Sequence, residues 1–267
     1  MLIDDMERSG RWLFRYRNHL PLVLVPLILL ALGQSGGIES TFGTATAMAW
    51  KSLCVAVVLA GFALRCLVVG YCPPGASGRN SQEHRAESLN RRGAYSVVRN
   101  PLYLANFLII TGEVSLVEVW WLTVIVVLGF WLYYERIIVA EESFLESGFG
   151  DHYRLWASAT PVFMPDLRRW SAPTRSFSVK KVLANEVSTF AQIVVVITLI
   201  QLACDWVVWR QVARRDVVLI ALSAVSLVAY VALRAVRKNT RWLSTSPDVT
   251  TADRRMPPMP EPALREE

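Results

Sequence analysis

Long apolar blocks alternate with polar, arginine-rich stretches along the chain. A helix that spans the hydrocarbon core of a bilayer needs roughly 20 predominantly apolar residues. Six blocks approach this length and predict six membrane crossings, at residues 20–32 (with an extension back to residue 12), 50–69, 102–119, 120–139, 187–208 and 217–233. Pro21 and Pro26 interrupt the first block, and Asn106, Gly112 and Glu113 interrupt the third. The pattern predicts an all-α, polytopic membrane helical bundle with a cytoplasmic loop and tail.

The polar stretches divide the chain into five predicted parts. These are a basic interfacial segment at 1–19, a membrane core at 20–165, a basic linker at 166–183, a transmembrane hairpin at 184–236 and a disordered tail at 237–267. The tail is assigned from its Pro, Thr, Asp and Arg content, which cannot bury enough apolar surface to fold.

Composition and charge agree with a membrane protein. Hydrophobic residues make up 53% of the chain, and the net charge is +6. The Lys and Arg residues gather before the first block, between the second and third, and after the fourth and sixth, whereas residues 33–49 and 112–119 contain none. The positive-inside rule therefore places both termini and the long polar loops in the cytoplasm, with a bacterial inner membrane as the expected location. Nucleic acid is not an expected partner.

Metal chemistry is not predicted. The four Cys residues show no paired ligand spacing, and the chain has only three His residues. The cysteines fit small hydrophobic residues in or near membrane helices.

The third and fourth blocks adjoin directly, so they must form an antiparallel hairpin. Their cytoplasmic ends, near Asn100 and Glu141, are therefore expected to lie close together. Charged groups where two membrane helices meet water are costly to keep dry and usually mark a site. Glu113 and Glu118, at the other end of this hairpin, are predicted to be solvated turn residues.

Both ends of the predicted site also have ordinary interpretations. Glu141 and Glu142 point about 100° apart on a helix, so only one of them can face a given ligand. Acidic residues are common where a helix reaches water. The start of the third helix, Arg99-Asn100-Pro101, offers backbone N–H groups and a positive dipole end to an anion. A positive-inside arginine and a helix-starting proline explain the same residues.

Several motifs in a fixed order resemble a known superfamily. Residues 93–103 read G-x-Y-x-x-x-R-N-P-L-Y, a membrane hairpin and Glu-Glu follow, and F-G-D-H-Y at 149–153 precedes Pro161 and Pro165. This order is similar to that of the isoprenylcysteine carboxyl methyltransferase and phospholipid methyltransferase superfamily, over about residues 50–165. The resemblance implies S-adenosylmethionine as cofactor, bound by Leu89, Asn90, Tyr95, Asn100, Pro101, Leu102, Tyr103 and Glu141.

Two positions depart from the superfamily pattern. Asn100 replaces the usual histidine, and an amide can mimic its hydrogen bonds but not its charge. The carboxyl-methylating members carry a substrate-binding arginine about one turn before the Glu pair, where this chain has Ile137 with Arg136 beside it. Arg136 and Glu141 would point about 140° apart on an unbroken helix. Arg136 and Glu142 are the candidate catalytic residues.

The resemblance leaves the acceptor open. The many arginines favour an anionic oxygen of a membrane lipid, either a phosphate such as that of lipid A or a carboxyl group, and a phosphatidylethanolamine-type amine is the alternative. A membrane reductase that uses NADPH has a similar architecture and is a second alternative. A purely structural membrane protein is the non-enzymatic alternative.

In the last hairpin, Asp205 is expected to pair with Arg210.

Overall fold

The computed structural model describes residues 2–16, 20–72, 89–210 and 214–239. Within these residues the regular structure is entirely helical, which confirms the predicted all-α class. The α-helices are α1 (Leu2–Tyr16), α2 (Leu20–Ala31), α3 (Gly37–Phe42), α4 (Thr44–Tyr71), α5 (Ala94–Val97), α6 (Pro101–Ser115), α7 (Trp120–Phe149), α8 (Asp151–Ala159), α9 (Val179–Trp209) and α10 (Arg214–Asn239). Residues 237–239 of the predicted tail are helical and end α10, and residues 240–267 lie outside the described residues.

Five helical stretches among the described residues are long and apolar enough to cross a membrane: Leu22–Phe42, Thr44–Tyr71, Trp120–Phe149, Val179–Trp209 and Arg214–Arg237. The protein is therefore an integral membrane protein. The third predicted crossing differs, because α6 has only 15 residues and the end of the predicted block forms the turn at 116–119. A helix of this length is about 22 Å long, which is shorter than the hydrocarbon core.

Helices α6 and α7 form the predicted antiparallel hairpin. At one end the hydroxyls of Ser115 and Thr123 lie 3.4 Å apart. At the other end Arg99, just before α6, forms an ion pair with Glu142 in the last third of α7. The short connection between the helices makes them antiparallel. Side-chain contacts then hold both ends of the hairpin together.

Small residues bring α4 and α6 together. A Cβ atom on Gly61 of α4 would lie 2.7 Å from the carbonyl oxygen of Ala105, and one on Gly112 of α6 would lie 2.8 Å from that of Cys54. Both distances are shorter than real Cβ contacts. Helices in membranes associate closely where glycines allow the backbones to approach.

The amphipathic helix α1 packs against α7. No space exists for a Cβ atom on Gly10, because the carbonyl group of Arg136 and the side chain of Ala140 lie against it. The Tyr133 hydroxyl of α7 donates to the carbonyl oxygen of Leu13 at 2.9 Å. The N-terminal segment is thus part of the packed structure.

Buried charges tie the C-terminal hairpin, α9 and α10, to the rest of the protein. Arg65 of α4 forms an ion pair with Glu186 of α9, whose side chain is 2% exposed, and donates to the side chain of Asn106 in α6 at 2.5 Å. Between α9 and α10, the hydroxyls of Thr198 and Ser223 lie 2.7 Å apart.

Two expectations at the end of the bundle that carries the turn at 116–119 are wrong. Glu113 is buried, and Glu118 is also covered and pairs with Lys51 at 3.1 Å, so neither is a solvated turn residue. Helix α4 and the turn at 116–119 enclose this region. Asp205 pairs with Arg215 of α10 and not with Arg210, which ends α9 in a left-handed conformation (φ +52°).

Candidate functional site

Arg99 joins the segments that carry the sequence motifs. Its Nη1 atom lies 2.8 Å from both carboxylate oxygens of Glu142 on α7, with hydrogen-bond geometry toward Oε2. The same guanidinium contacts the hydroxyl of Tyr153 on α8. The arginine-rich segment and the acidic end of the neighbouring hairpin therefore converge, as the sequence predicts.

Gly150 lets the chain bring Tyr153 to this point. It adopts φ +52°, a conformation that favours glycine, and separates the end of α7 from the start of α8. Tyr153 is buried on the inner face of α8. Burial, with a smaller contribution from Glu142, raises the pKa of the Tyr153 phenol above its usual range, against the opposing effect of Arg99. A phenol is already protonated at neutral pH, and the shift extends this to more alkaline solution for Tyr153.

The segment after α8 holds the start of α6 in place through three hydrogen bonds. The Arg99 amide donates to the carbonyl oxygen of Pro161 at 2.8 Å, and the Asn100 side chain donates to that of Val162 at 3.1 Å. The Asp166 amide donates to the carbonyl oxygen of Val97 at 2.9 Å. These contacts explain why the Pro161–Pro165 stretch accompanies the R-N-P motif in the sequence.

A tight turn at Gly93 shapes the loop before α6. Gly93 has φ +62°, and its amide donates to the carbonyl oxygen of Ser171 at 2.9 Å. The Ser96 hydroxyl donates to the Gly93 carbonyl oxygen at 2.7 Å and accepts from the Ser171 amide at 3.0 Å. The loop is therefore attached to the basic linker at Ser171.

Tyr95 lies near Glu141, the other member of the carboxylate pair. Burial raises the pKa of the Tyr95 phenol above its usual range, and the neighbouring Cys72 and Glu141 add to this effect. Asn90 hydrogen-bonds the thiol of Cys72 at the end of α4. Three of the predicted cofactor-binding residues therefore lie close together near Cys72, just after the end of α4. They are Asn90, Tyr95 and Glu141.

The start of α6 has fewer available donors than the sequence suggests. The amides of Tyr103 and Leu104 already donate to the Asn100 carbonyl oxygen, each at 3.1 Å, and Pro101 has no N–H group. The first turn of a helix leaves its amides without intrahelical partners. The Leu102 amide is therefore the donor that can face a ligand, together with the Asn100 Oδ1 atom as an acceptor.

An aromatic cluster supports the site from the membrane side. The rings of Tyr103 and Tyr134 have centroids 4.6 Å apart, and Tyr134 stacks on Phe130 at 4.1 Å. Phe107 contacts both Phe130 and Phe163 edge-to-face, and Phe163 follows α8. Tyr103 therefore belongs to the packing between α6 and α7. Phe163 belongs to no motif of the sequence, and only its position two residues after Pro161 indicates a role in the site.

Two further predicted site residues, Leu89 and Arg136, lie apart from the contacts described above. Leu89 is half-buried at the first described position of the loop, whereas residues 73–88 lie outside the description. Arg136 lies on α7 about 9 Å along the helix axis from Glu142, and its guanidinium donates to the Leu132 carbonyl oxygen at 3.1 Å. Its backbone borders α1 at Gly10. The structure does not bring Arg136 to the Arg99–Glu142 pair.

These features define a membrane-embedded helical protein with a candidate site at one end of the hairpin α6–α7. Residues 77–152 match the family model described as phospholipid methyltransferase. The chain belongs to this family, which is part of the isoprenylcysteine carboxyl and phospholipid methyltransferase superfamily, and the predicted resemblance is confirmed. Membership supports a membrane methyltransferase activity.

Two curated relatives are similar to this chain. The nickel-cobalt-cadmium resistance protein NccN of Alcaligenes xylosoxydans xylosoxydans is 32% identical over 158 residues, which cover 58% of this chain and 68% of the relative. The cobalt-zinc-cadmium resistance protein CzcN of Cupriavidus metallidurans is 35% identical over 97 residues, which cover 36% of this chain and 42% of that relative. No solved structure shows a significant match.

Proposed function

We propose that this protein transfers a methyl group from S-adenosylmethionine to an anionic oxygen of a membrane lipid, at the cytoplasmic face of a bacterial inner membrane. The observation that carries the proposal is the contact of Arg99 with Glu142 and Tyr153, which joins the three motif segments in one place. The family match, residues 77–152, includes Arg99 and Glu142 and ends one residue before Tyr153.

The residues at this place fit the proposed cofactor. Glu141 offers a carboxylate near a protonated Tyr95 phenol, and Asn100 and Leu102 offer an acceptor and a donor. In addition, Arg99 Nε is a buried atom without a hydrogen-bond partner among the described residues. S-adenosylmethionine combines a sulfonium cation, ribose hydroxyls, an adenine ring and a carboxylate, so acceptors and donors are both needed.

Bound S-adenosylmethionine would supply an electrophilic methyl group. A displacement of this kind needs alignment more than covalent help, so the contribution of the protein is to orient the reactants and exclude water. We propose that Leu89, Asn90, Tyr95, Asn100, Pro101, Leu102, Tyr103 and Glu141 bind the cofactor. In this proposal Glu142 acts as a positioning residue, because it holds Arg99 at the start of α6.

The choice of an anionic acceptor follows from the charges. A phosphate or carboxyl oxygen is already an anion and needs no proton acceptor, only a cation that directs it. Arginines 91, 92 and 99 lie in the loop before α6 and can serve this purpose, whereas the distant Arg136 would need an acceptor that enters along the α1 side of α7. Lipid phosphate, as in lipid A, and lipid carboxyl groups are the proposed acceptors.

A phospholipid amine is the second candidate. The description of the matched family favours it, and so does Glu141, because a protonated amine must lose a proton to a base before it can attack. In this candidate Glu141, which lies near Tyr95, is the proposed base. The two candidates differ in the charge and the stability of their products.

We also propose a role in tolerance to divalent metal ions, since both curated relatives are named as resistance proteins for such ions. A phosphate monoester carries about −1.5 to −2 charges at neutral pH, and methylation removes one ionisable oxygen. A divalent cation near a phosphate is attracted mainly by its negative charge, so the loss of one charge weakens the attraction. Methylated lipid would therefore bind fewer cations at the membrane surface.

Cofactor binding tests the assignment directly. S-adenosylmethionine should raise the thermal midpoint of the detergent-solubilised protein, whereas stabilisation by NADPH alone would identify a reductase instead. We expect Asn100→Ala and Glu141→Gln each to weaken binding by about 1–3 kcal/mol, the scale of a lost buried polar contact. Asn185→Ala on α9 and Glu135→Gln on the exposed face of α7 are the matched controls and should bind normally.

The acceptor is identified from lipid extracts of cells that express the protein or its Asn100→Ala variant. Mass spectrometry should find a lipid heavier by one CH₂ group per methyl transferred, dependent on Asn100. A methyl group released as methanol by base marks a carboxyl ester, loss of an ionisable phosphate oxygen marks a phosphate ester, and a base-stable methylamine marks the amine. An unchanged lipid profile would reject all three acceptors.

A further inference from the structure

A cavity of about 280 Å³ lies between α9 and α10 at one end of the C-terminal hairpin. Its wall combines two kinds of surface. Leu183 and Val187 contribute apolar atoms, and the polar groups come from Ser188, Tyr230, Arg234 and Arg237. This hairpin lies outside the matched family region at 77–152, so the methyltransferase family does not account for the cavity.

The two arginines of the cavity bond only to neutral groups. Arg234 Nη1 donates to the Tyr230 hydroxyl at 2.9 Å, and Arg237 Nη1 donates to the Ala184 carbonyl oxygen at 3.1 Å. Neither forms an ion pair with any residue that the structure describes. A guanidinium has five N–H donors, so both retain positive charge and several donors for an anion. Their bonds also fix them at the cavity wall.

The cavity lies where an apolar surface ends. Ile220 and Leu227 of α10 are 46% and 45% exposed, and both belong to the membrane-crossing stretch. They lie about four and two turns before Arg234 on the same face of the helix, and Arg237 follows Arg234 by one turn. An apolar helix surface that leads into a pair of arginines corresponds to the change from acyl chains to phosphates in one leaflet of a bilayer.

The cavity and the candidate methyltransferase site lie at the same end of the bundle. The start of α9 is joined to the end of α4, because Lys181 Nζ donates to the Cys72 carbonyl oxygen at 3.1 Å and the Ser178 amide donates to that of Gly70 at 3.0 Å. Cys72 is also the residue that Asn90 contacts. Both places therefore face the same leaflet.

We propose that this cavity binds the headgroup of an anionic phospholipid, with the phosphate held by Arg234 and Arg237 and the acyl chains lying along the exposed Ile220 and Leu227 of α10. Guanidinium and phosphate form paired, charge-assisted hydrogen bonds. Basic pockets between membrane helices recognise anionic headgroups by this combination of charge and apolar surface. The site goes beyond the proposed methyl transfer and does not depend on it, because binding is measured without any reaction.

Native mass spectrometry of the full chain in micelles tests the proposal. Phosphatidylglycerol and phosphatidylcholine with the same acyl chains are added in separate titrations, together with inorganic phosphate alone. We expect one phosphatidylglycerol molecule to bind with at least about tenfold preference over phosphatidylcholine, which corresponds to a contribution from two arginines near a membrane surface. Free phosphate should bind far more weakly, because it lacks the acyl chains.

Two kinds of variant locate the bound lipid. Arg234→Gln with Arg237→Gln should lower phosphatidylglycerol affinity about tenfold and remove the preference over phosphatidylcholine. Val187→Trp should also block binding by filling the cavity without a change of charge. The control, Arg8→Gln with Arg15→Gln, removes two exposed charges from α1 and should leave binding unchanged.

Three results would overturn the proposal. Equal affinity for the two lipids would show that the arginines do not select the headgroup. An equal loss in the α1 control would show a diffuse charge effect instead of a site. Binding of inorganic phosphate as tight as that of phosphatidylglycerol would identify a small-anion site in place of a lipid site. Val187→Trp keeps the test decisive if the double arginine variant fails to fold.

Discussion

Arg65 on α4 binds Glu186 on α9 at two points, with Nε 2.8 Å from Oε2 and Nη2 3.1 Å from Oε1. The Glu186 side chain is 2% exposed, and Asn106 of α6 accepts from the third nitrogen of the guanidinium. Three helices thus share one buried ionic contact. Through it, the C-terminal hairpin is attached to the region that carries the family motifs.

Replacing Glu186 should destabilise the protein strongly. Glu186→Gln leaves the charge of Arg65 unpaired in an apolar setting, and we expect a loss of about 3 kcal/mol in the free energy of unfolding. The double variant Arg65→Met with Glu186→Leu should recover most of this loss, since it removes both charges. Denaturation in mixed micelles measures the free energy of unfolding of both variants. Unfolding of Glu186→Gln at the wild-type midpoint would contradict the structural role of the pair.

Replacing Arg99 should affect both stability and cofactor affinity. Arg99→Gln removes the ion pair with Glu142 and the contact with Tyr153, and we expect roughly 1–3 kcal/mol of destabilisation. The affinity for S-adenosylmethionine should fall as well, because the start of α6 loses a fixed position. Arg154→Gln is the matched control. Its ion pairs with Glu146 and Asp151 lie at the exposed surface, where such pairs contribute little. Equal changes in stability and in S-adenosylmethionine affinity for the two variants would show that the Arg99 ion pair contributes no more than an exposed one.

The close approach of α4 and α6 can be tested at a single glycine. Gly112→Ala places a methyl group against Val58 and the Cys54 carbonyl oxygen, so we expect a loss of about 1–3 kcal/mol. Gly129→Ala on α7 meets nothing within 4 Å and should be neutral or stabilise by up to about 1 kcal/mol. Thermal unfolding of the two variants in the same detergent gives the comparison. The reverse order of stability would place the helices further apart than the structure does.

The stability of the protein should fall in alkaline solution through Cys72. Burial raises the pKa of its thiol to about 11, although Lys181, Asn90 and Arg175 oppose this shift. The folded protein therefore holds this proton more tightly than the unfolded chain does. Its contribution is complete below the ordinary thiol pKa of about 8.5 and is lost as the pH rises toward 11.

The difference between wild type and Cys72→Ala isolates this effect. The midpoint of unfolding should decline more steeply above pH 9 in the wild type than in Cys72→Ala, in which the titrating group is absent. Asn90→Ala should steepen the decline further, because it removes a hydrogen bond that favours the thiolate. Parallel curves for wild type and Cys72→Ala would show that the thiol is not shifted.

Local sequence features predicted the central geometry because short connections leave few alternatives. The apolar blocks before and after residue 119 had to form a hairpin, so the meeting of Arg99 with the Glu pair followed from the chain itself. The order of motifs predicted the family for the same local reason. Asn100 was more ambiguous, since its amide was expected to bind a ligand but one donor is used by the Val162 carbonyl oxygen.

Contacts between distant parts of the chain were not predictable in this way. Arg65 and Glu186 lie 121 residues apart, and each reads as an isolated charge in an apolar helix. The choice of Arg215 over Arg210 as the partner of Asp205 depends on how α9 ends and where α10 begins. The position of Glu118 in a turn predicts solvation, yet Lys51 of α4 pairs with it and its side chain is covered.

By itself, the sequence determined the membrane class, the antiparallel hairpin and the segments that form the site, because hydrophobicity, length and motif order act over neighbouring residues. The tertiary structure alone decided which charges are buried together, how α9 and α10 attach to the core, and that two arginines of α10 line a cavity. These depend on the relative rotation and depth of separate helices, which packing across the bundle sets and no local pattern encodes.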